Sequence, residues 1–409
     1  TPLSTKTKGD HFVGDYYVKF NDEYKRQVEE LINNGLSKAD AEKEAPIIKT
    51  TQEMLLKWEQ DDPQVRELWK TMNGWVYAGF DETYKRIGSN FDKIYYESET
   101  YLDGKKYVEE GLEKNVFFKK EDGSVWIDLT SDGLDEKLVL RKDGTSVYIT
   151  QDIGLASQKY EDYQMNQSIF VIGDEQNYHM KVLKLICQKL GMPYADNIYH
   201  LSYGMVELTT GKMKSREGTV VDADELIDEM VTDAEIKTNE SGKAKDFTDD
   251  QLKELYEMIG IGAMKFYLLR VDPKKRMIFN PEESIDLHGF TATAIQYTHA
   301  RLKSILRSEQ PAAKPFDQAK LFPLEKELIL MLEEYPDRIE DACKDMNPSV
   351  LAIYAYEVAR KFNSFYDVHS VLKAESESKK DLRLRIAQMT ANVIASSMAL
   401  LGIRVPERM

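Results

Sequence analysis

A short basic segment between two glycines has the side chains of a loop that closes on a triphosphate. Residues 211–218 begin and end in glycine and contain Lys212, Lys214, Ser215 and Arg216. Cationic and hydroxyl groups on a flexible loop can stabilise the charge that moves onto pyrophosphate as it leaves. A basic stretch between glycines is, by itself, more often a solvated turn. The segment therefore indicates nucleotide chemistry only if other residues support it.

Four polar side chains upstream of that segment could bind a small substrate: Tyr148, Asp152, Gln176 and His179. A carboxylate such as that of Asp152 can accept the forked N–H donors of a guanidinium. Each residue also has an ordinary structural interpretation. Tyr148 could be a strand aromatic and Asp152 a helix N-cap. Gln176 could be a loop amide and His179 a structural histidine at a helix start. The residue types alone leave both interpretations open.

The elements around Gln176 and His179 are typical of a nucleotide-binding sheet. Residues 168–173 form a continuous apolar run ending in glycine, which predicts a parallel strand buried on both faces. A helix over 180–190 and a strand over 197–204 complete a β-α-β unit of the doubly wound type. Such sheets bind ligands at the carboxyl ends of their strands, where these two residues would lie.

The rest of the chain before the bundle is predicted to contain helices, a small sheet and an exposed segment. Residues 15–90 read as helices, with Asp62 as an N-cap before Pro63. Strand-like segments at 93–96, 116–118, 125–127 and 137–140, with Asp-Gly turns between some of them, predict a small antiparallel sheet. The polar residues 233–247 predict an exposed excursion.

The carboxyl-terminal part has the apolar periodicity of a helical bundle. From 349 onward, apolar side chains recur at helical spacing along one stripe, namely Leu351, Tyr354, Ala355, Val358, Phe362 and Phe365. Residues 290–306 and 382–401 follow similar patterns, so we expect these segments to pack together.

Composition narrows the class of protein. The net charge of −16 argues against indiscriminate nucleic-acid binding, although residues 287–409 are nearly balanced, with 17 basic and 16 acidic side chains. No run of 18 apolar residues occurs, and a cytoplasmic location is expected. Cys187 and Cys343 lie far apart, which predicts two buried thiols and no disulfide or Cys/His zinc cluster.

Several ordered landmarks together resemble one enzyme family. Segment 211–218 resembles the KMSKS loop of class I aminoacyl-tRNA synthetases, and segments 9–20, 148–153, 173–179 and 400–409 resemble arginyl-tRNA synthetases of bacterial type. The likeness covers essentially the whole chain. It implies an α/β plus all-α fold, with the second half of a class I Rossmann-type catalytic domain followed by a helical anticodon-binding bundle.

The resemblance assigns roles to the polar side chains. It places Tyr148, Asp152 and Gln176 in an arginine pocket and His179 beside the adenylate. Gly204, Met205 and Val206 would present backbone groups to adenine, with glycine permitting close approach.

The basic loop departs from the general KMSKS pattern. Aligned on Lys212 and Met213, it has Lys214 where serine is usual, Ser215 where the second lysine is usual, and Arg216 in the last place. Arginyl enzymes often lack that second lysine, so the departure favours this family. Lys212, Lys214 and Arg216 remain alternative partners for pyrophosphate, and Lys212 ranks first.

The same resemblance implies tRNA recognition by the bundle. Unpaired anticodon bases stack on aromatic rings and arginine, while lysine and arginine meet phosphates. The candidate residues are Tyr297, Arg301, Tyr356, Arg360 and Lys361.

The implied activity is that of an arginine–tRNA ligase acting on L-arginine, ATP with Mg²⁺, and arginine tRNAs. The predicted division is 1–204 for the catalytic part, 205–284 for the loop and connecting helices, and 285–409 for the bundle. A monomer is expected. No HIGH-type tetrapeptide is found, so the chain is expected to be a carboxyl-terminal portion that is inactive alone. The alternative is a non-catalytic tRNA-binding or regulatory protein derived from a synthetase.

Overall fold

A computed structural model describes residues 1–208, 222–242, 246–312 and 320–409. Within these ranges, helices predominate and the strands form three small sheets. The first helices are α1 (Pro2–Thr5), α2 (Gly9–Asn33), α3 (Lys38–Glu44), α4 (Pro46–Glu59) and α5 (Pro63–Ile87).

The start of α5 follows the sequence prediction. The side chain of Asp62 accepts hydrogen bonds from the backbone N–H groups of Gln64 and Val65, both at 3.0 Å, and Pro63 occupies the first helical position. These contacts satisfy amides that have no partner within the helix. The helical interpretation of residues 15–90 is confirmed.

The antiparallel sheet is confirmed for three of its four predicted strands. After α6 (Glu97–Glu113) come β1 (Phe118–Lys119), β2 (Val125–Ile127) and β3 (Lys137–Leu140), paired in that order. The prediction of a strand at 93–96 is wrong. Lys93 and Tyr95 instead direct their polar ends to Asp162 in the next helix, α7 (Tyr148–Tyr163), so side-chain contacts hold this segment in place of strand pairing.

The β-α-β unit is confirmed. Strand β4 (Ser168–Gly173) leads through α8 (Asn177–Lys189) to β5 (Ile198–Tyr203), and the two strands pair in parallel. The expectation that β4 is buried on both faces is wrong, because Val171 is 63% exposed and Ile169 is also exposed, whereas Phe170 packs in the core with α8. Alternate side chains of a strand point to opposite faces, and in this structure α8 covers one of them.

The segment after β5 connects the sheet to the bundle. It contains β6 (Val206–Leu208), α9 (Ala223–Ser241), α10 (Asp249–Leu269), β7 (Met277–Phe279) and α11 (Pro281–Ser284), with β6 and β7 parallel. Most of residues 233–241 are exposed as predicted, but they complete α9 and do not form an excursion. Ala234 is buried in a core shared with α10, so one face of this helical end packs despite its polar composition.

Among the described residues from 292 onward, five helices form the carboxyl-terminal bundle: α12 (Ala292–Ser308), α13 (Pro323–Glu333), α14 (Tyr335–Asp345), α15 (Ser349–Val368) and α16 (Glu377–Leu400). The whole predicted stripe of α15 is buried, which confirms the bundle. Cys187 is buried as predicted, but Cys343 on α14 is exposed, which corrects that part of the interpretation. No helix in the described ranges is long and apolar enough to cross a membrane.

Candidate active site

Two of the predicted substrate-binding side chains meet where α7 faces the start of α8. Asp152 Oδ2 lies 2.5 Å from His179 Nε2, a hydrogen bond that joins the two helices. Tyr148 precedes Asp152 by four residues on α7, and Gln176 precedes His179 by three at the start of α8. Residues at these spacings share a helix face. Tyr148 and Gln176 therefore lie about one helical turn from this pair, beside the carboxyl end of β4.

The local structure around α7 excludes two of the ordinary interpretations. Val147, not Asp152, precedes the first turn, and its N–H donates to Thr150 Oγ1 at 3.3 Å. Tyr148 is the first residue of the helix, not a strand residue, and is 77% exposed. Asp152 consequently projects from within the helix, with its carboxylate available for a partner other than its own backbone.

A glycine contact fixes the approach of α7 to α6. A Cβ at Gly154 would lie 2.2 Å from the backbone oxygen of Thr100, so only glycine allows the two helices to come this close. This packing holds Asp152 on a rigid element. Rigid support is what a binding carboxylate requires, because its geometry must be set before the substrate arrives.

Asp152 and His179 are both half-buried, with side chains 33% and 28% exposed. A carboxylate has two oxygens with about four acceptor positions, so the bond to His179 leaves capacity for a second donor group. The imidazole orients the carboxylate, and a guanidinium could bind to its remaining lone pairs. This arrangement suits a planar cation.

Asp174 is a polar residue at this edge that the sequence patterns missed. It follows β4 directly, its Oδ1 is buried without a hydrogen-bond partner, and its Oδ2 lies 3.5 Å from Arg276 Nε. A buried acceptor without a partner is uncommon. The sequence position of Asp174 could have identified it, because it directly follows a predicted parallel strand and ligands of doubly wound sheets bind where such strands end.

The backbone at Gly204 is already engaged within the chain. Its N–H donates to the Pro273 oxygen at 2.7 Å, and the Met205 oxygen accepts from the Met277 N–H at 3.1 Å. A Cβ at Gly204 would lie 2.4 Å from the Lys275 oxygen, so the close approach requiring glycine is to this segment. Binding of adenine by the remaining groups of Gly204, Met205 and Val206 stays a prediction.

The residues of the basic loop, Lys212, Lys214, Ser215 and Arg216, lie outside the described ranges. The chain is described again from Asp222, whose side chain caps α9.

A polar cluster ties the first turn of α9 to α2 and α5. Asp224 accepts from Lys8 Nζ at 2.5 Å and from Thr83 Oγ1 at 3.0 Å, and His11 Nε2 lies 3.3 Å away. Burial would raise the pKa of Asp224, but the hydrogen bonds from Lys8 and Thr83 outweigh it and lower that pKa below its usual value. Sequence patterns did not reveal this cluster, because its members are far apart in the chain.

The candidate tRNA-binding residues lie on two neighbouring helices of the bundle. Arg301 on α12 donates to Asn363 Oδ1 on α15 at 2.8 Å, and its guanidinium lies 5.0 Å from the centre of the Tyr297 ring. Tyr356 packs edge-on against Phe290, with ring centres 4.7 Å apart. Lys361 pairs with Glu327, while Arg360 is exposed. Arg360 is therefore better placed to meet a ligand than Tyr356, which serves partly as packing.

Comparisons with family models agree with the two-part architecture. Residues 14–280 match a model described as tRNA synthetases class I (R), catalytic domain, and residues 295–409 match the DALR anticodon binding domain. An arginine–tRNA ligase of Bacteroides thetaiotaomicron is 49% identical over all of this chain and 69% of the relative. One from Flavobacterium psychrophilum is 51% identical, again over the whole chain and 68% of the relative.

Solved structures agree on the fold. A Thermus thermophilus arginyl-tRNA synthetase matches with a TM-score of 0.74 at 22% identity, over 96% of this chain and 73% of that one. A Plasmodium falciparum arginyl-tRNA synthetase matches with a TM-score of 0.76 at 18% identity, over 89% and 64%. With a catalytic-domain match, an anticodon-domain match and relatives near 50% identity, the chain belongs to the arginyl-tRNA synthetases, the class I arginine–tRNA ligases.

Proposed function

We propose that the region between α7 and the carboxyl end of β4 binds L-arginine for ligation to tRNA. The observation that supports this most is Asp152, a half-buried carboxylate oriented by His179 at the ligand-binding edge of the sheet. A planar, permanently charged guanidinium is the cation that such a carboxylate binds best, through two parallel hydrogen bonds.

The neighbouring side chains suit the rest of the substrate. Tyr148 would cover the guanidinium with its ring, and Gln176 would accept a hydrogen bond from the α-amino group. Arginine held in this way directs its carboxylate away from Asp152, toward the α-phosphorus of ATP. The carboxylate oxygen bonds to that phosphorus as pyrophosphate leaves, and a terminal ribose hydroxyl of tRNA then takes the aminoacyl group and releases AMP.

His179 has a double role in this proposal. Its Nε2 lies 2.5 Å from Asp152 Oδ2 and would orient that carboxylate. From the start of α8, His179 would also contact the adenylate. Lys212, Lys214, Ser215 and Arg216 are proposed to stabilise the departing pyrophosphate, with Lys212 the first candidate.

Magnesium is proposed to enter with ATP. Among the described residues, Asp10, His11 and Asp224 approach the spacing of a metal site. They do not suit Mg²⁺, because the ammonium group of Lys8 already bonds Asp10 and Asp224 and because Mg²⁺ prefers oxygen ligands. We therefore assign the ion no ligand in this part of the chain. The monomeric state and the cytoplasmic location stay predictions.

Substrate analogues test the charge requirement of the arginine pocket. We expect citrulline, which replaces the guanidinium by a neutral urea group of similar shape, to compete with arginine at least about a hundredfold more weakly, since a charge-assisted pair is lost. Aminoacylation with arginine, by the chain extended to the full length of its relatives, is measured at increasing concentrations of citrulline. Homoarginine, which keeps the guanidinium, is the matched control for side-chain shape. Equal inhibition by citrulline and unlabelled arginine would contradict the proposed ion pair.

We also propose that the α12–α15 face contacts the anticodon loop of arginine tRNAs. The candidates are Tyr297, Arg301, Tyr356, Arg360 and Lys361. Because residues 287–409 carry nearly equal basic and acidic charge, binding is expected to depend on base contacts and shape as well as on phosphates.

Removing one exposed arginine tests this surface. Arg360→Ala is expected to weaken binding of arginine tRNAs about tenfold, or ~1.4 kcal/mol, because a charged contact is lost without disturbing the core. Filter binding at moderate salt measures the effect. Arg338→Ala on α14, which removes an exposed arginine paired with Glu334, is the control and should change little. Equal effects of the two substitutions would argue against recognition by this face.

A further inference from the structure

The ammonium group of Lys8 connects the starts of α2 and α9 with the second half of α5. It donates to Asp10 Oδ2 at 3.1 Å, to Thr83 Oγ1 on α5 at 2.5 Å and to Asp224 Oδ2 on α9 at 2.5 Å. An ammonium has three N–H groups, so these three acceptors match its full donor capacity. The side chains of Lys8, Asp10 and Asp224 are only 16%, 12% and 18% exposed. We call Lys8, Asp10, Thr83 and Asp224 the α2–α5–α9 clasp.

Helix α5 forms a close-fitting support for the clasp. Thr83 Oγ1 also donates to Asp224 Oδ1 at 3.0 Å, so both oxygens of that carboxylate are bonded. One turn earlier on α5, a Cβ at Gly79 would lie 2.2 Å from Asp10 Oδ1, a clash that only glycine avoids. Burial would lower the pKa of Lys8, but hydrogen bonds with Asp224 and Asp10 outweigh it and raise that pKa above its usual value. The ammonium therefore stays charged at neutral pH.

The first turn of α9 does not need the clasp in order to form. Asp222 Oδ1 accepts from the backbone N–H groups of Asp224 at 2.8 Å and Glu225 at 3.3 Å, which caps the helix. The Asp224 carboxylate instead extends away from its own helix and bonds to α2 and α5. The clasp therefore determines where the first turn of α9 lies, and the cap determines that it is helical.

This turn is also where the described chain resumes after the basic loop. Because only five residues separate Arg216 from Asp222, the position of the turn limits where the basic loop can lie. His11 Nε2, 2.9 Å from Asp222 Oδ2, adds a further contact from α2 at this point. Groups that stabilise a departing pyrophosphate must be placed accurately, since a misplacement of about 1 Å can lower a rate about a hundredfold.

We propose that Lys8, Thr83 and Asp224 are positioning residues for the formation of pyrophosphate. They hold the first turn of α9 against α2 and α5 and thereby set the point from which the basic loop extends. They act through that loop and not by contact with a substrate. The inference rests on the pyrophosphate-stabilising role proposed above for the basic loop.

Pyrophosphate exchange tests the inference in the chain extended to the full length of its relatives. The rate at which labelled pyrophosphate enters ATP is measured with arginine and arginine tRNA present. Lys8→Met removes the ammonium and keeps an unbranched side chain. We expect kcat/KM for pyrophosphate to fall about ten- to a hundredfold, while KM for arginine changes less than about twofold. Lys8→Arg, which keeps the charge, should recover part of the loss. Unchanged exchange in Lys8→Met, or an equally large rise in KM for arginine, would overturn the proposal.

Arg86→Met is the matched control, because Arg86 also joins α5 to α9. Its guanidinium lies 2.6 Å from Asp228, one turn after Asp224, and 2.8 Å from Glu257 on α10. The variant removes a cation that anchors the second turn of α9, leaves the first turn clasped and should change exchange little. Thermal unfolding shows how far each variant is destabilised. Equal losses of exchange in Arg86→Met and Lys8→Met would indicate a general effect of α9 packing and would overturn positioning by the clasp.

Thr83→Val serves if Lys8→Met does not fold. It removes one hydroxyl from the clasp and leaves no buried charge without a partner, because Lys8 and Asp224 still bond directly. We expect a smaller loss of exchange in the same direction, about three- to tenfold. A folded Thr83→Val variant with unaltered exchange would count against the proposal in the same way.

A double-substitution cycle with Lys212→Ala separates this inference from the function on which it rests. If the clasp acts through the loop, adding Lys8→Met to Lys212→Ala should lower exchange by a smaller factor than Lys8→Met does alone. Losses that multiply would mean that the two residues act independently and would overturn the inference. Normal exchange in Lys212→Ala would contradict the role proposed for Lys212 itself. Impaired exchange in Lys212→Ala together with normal exchange in Lys8→Met would contradict only the positioning role.

Discussion

In a chain extended to the full length of its relatives, Asp152→Ala is expected to lower kcat/KM for arginine more than about a hundredfold, on the order of 3 kcal/mol. The substitution removes the carboxylate proposed to pair with the guanidinium and leaves the substrate cation without its partner in a half-buried site. Aminoacylation kinetics at varied arginine and at varied ATP measure the effect, which should fall on arginine. Asp152→Asn, which keeps the size of the side chain, separates loss of charge from loss of shape.

Glu161→Ala provides a matched control for Asp152→Ala. Glu161 is an exposed acid on the same helix and accepts a long hydrogen bond, 3.5 Å, from the Tyr107 hydroxyl. Its removal should leave arginine kinetics nearly unchanged. Unaltered arginine-dependent kinetics in Asp152→Ala would remove Asp152 from the pocket, and equal losses in both variants would point to a general effect on α7.

Glu325→Ala is expected to destabilise the bundle by roughly 3–5 kcal/mol. The Glu325 carboxylate is fully buried, contacts Lys379 Nζ and accepts from Arg383 Nε at 2.9 Å. Arg383 and Lys379 are also buried, so the substitution leaves two buried cations without their shared partner. Urea unfolding of the purified chain measures the change. Glu327→Ala, which removes an exposed partner of Lys361 on the same helix, should cost less than about 1 kcal/mol.

The same carboxylate predicts a pH dependence with a definite sign. Burial would raise the pKa of Glu325, but hydrogen bonds from Lys379, the Phe322 N–H and Arg383 outweigh it, so the folded-state pKa lies below the usual value. Its contribution to the free energy of unfolding is complete above the unfolded-state pKa of about 4.3 and is lost as the pH falls through the folded-state value. Glu325→Gln should remove that part of the acid dependence. An identical pH profile in the variant would show that the network does not control acid stability.

Local sequence patterns correctly predicted the secondary structure wherever residues close together in the chain determine it. Asp62 before Pro63 predicted the start of α5, because a cap acts on amides two and three residues away. The stripe on α15 and the apolar run of β4 predicted a bundle helix and a parallel strand, because side-chain periodicity follows from backbone geometry. The ordered motifs likewise identified the family that the comparisons show.

Tertiary structure decided what depends on contacts between distant residues. Residues 93–96 resemble a strand but are held by Asp162, and the polar end of α9 is helical because Ala234 is buried against α10. Periodicity could not show that Val171 would be exposed, since exposure depends on what covers the sheet.

In the candidate site, too, the sequence predicted individual residues, and the tertiary structure determined which of them are in contact. The family resemblance assigned Asp152 to the arginine pocket and His179 to the adenylate, but the hydrogen bond between them depends on the packing of α7 beside α8. The Lys8–Asp224 contact and the Glu325–Arg383 pair likewise join residues far apart in the chain. A sequence determines which groups are available and which local elements carry them. Only folding decides which of those groups share a low-dielectric environment, and there charge, burial and hydrogen bonding set their chemistry.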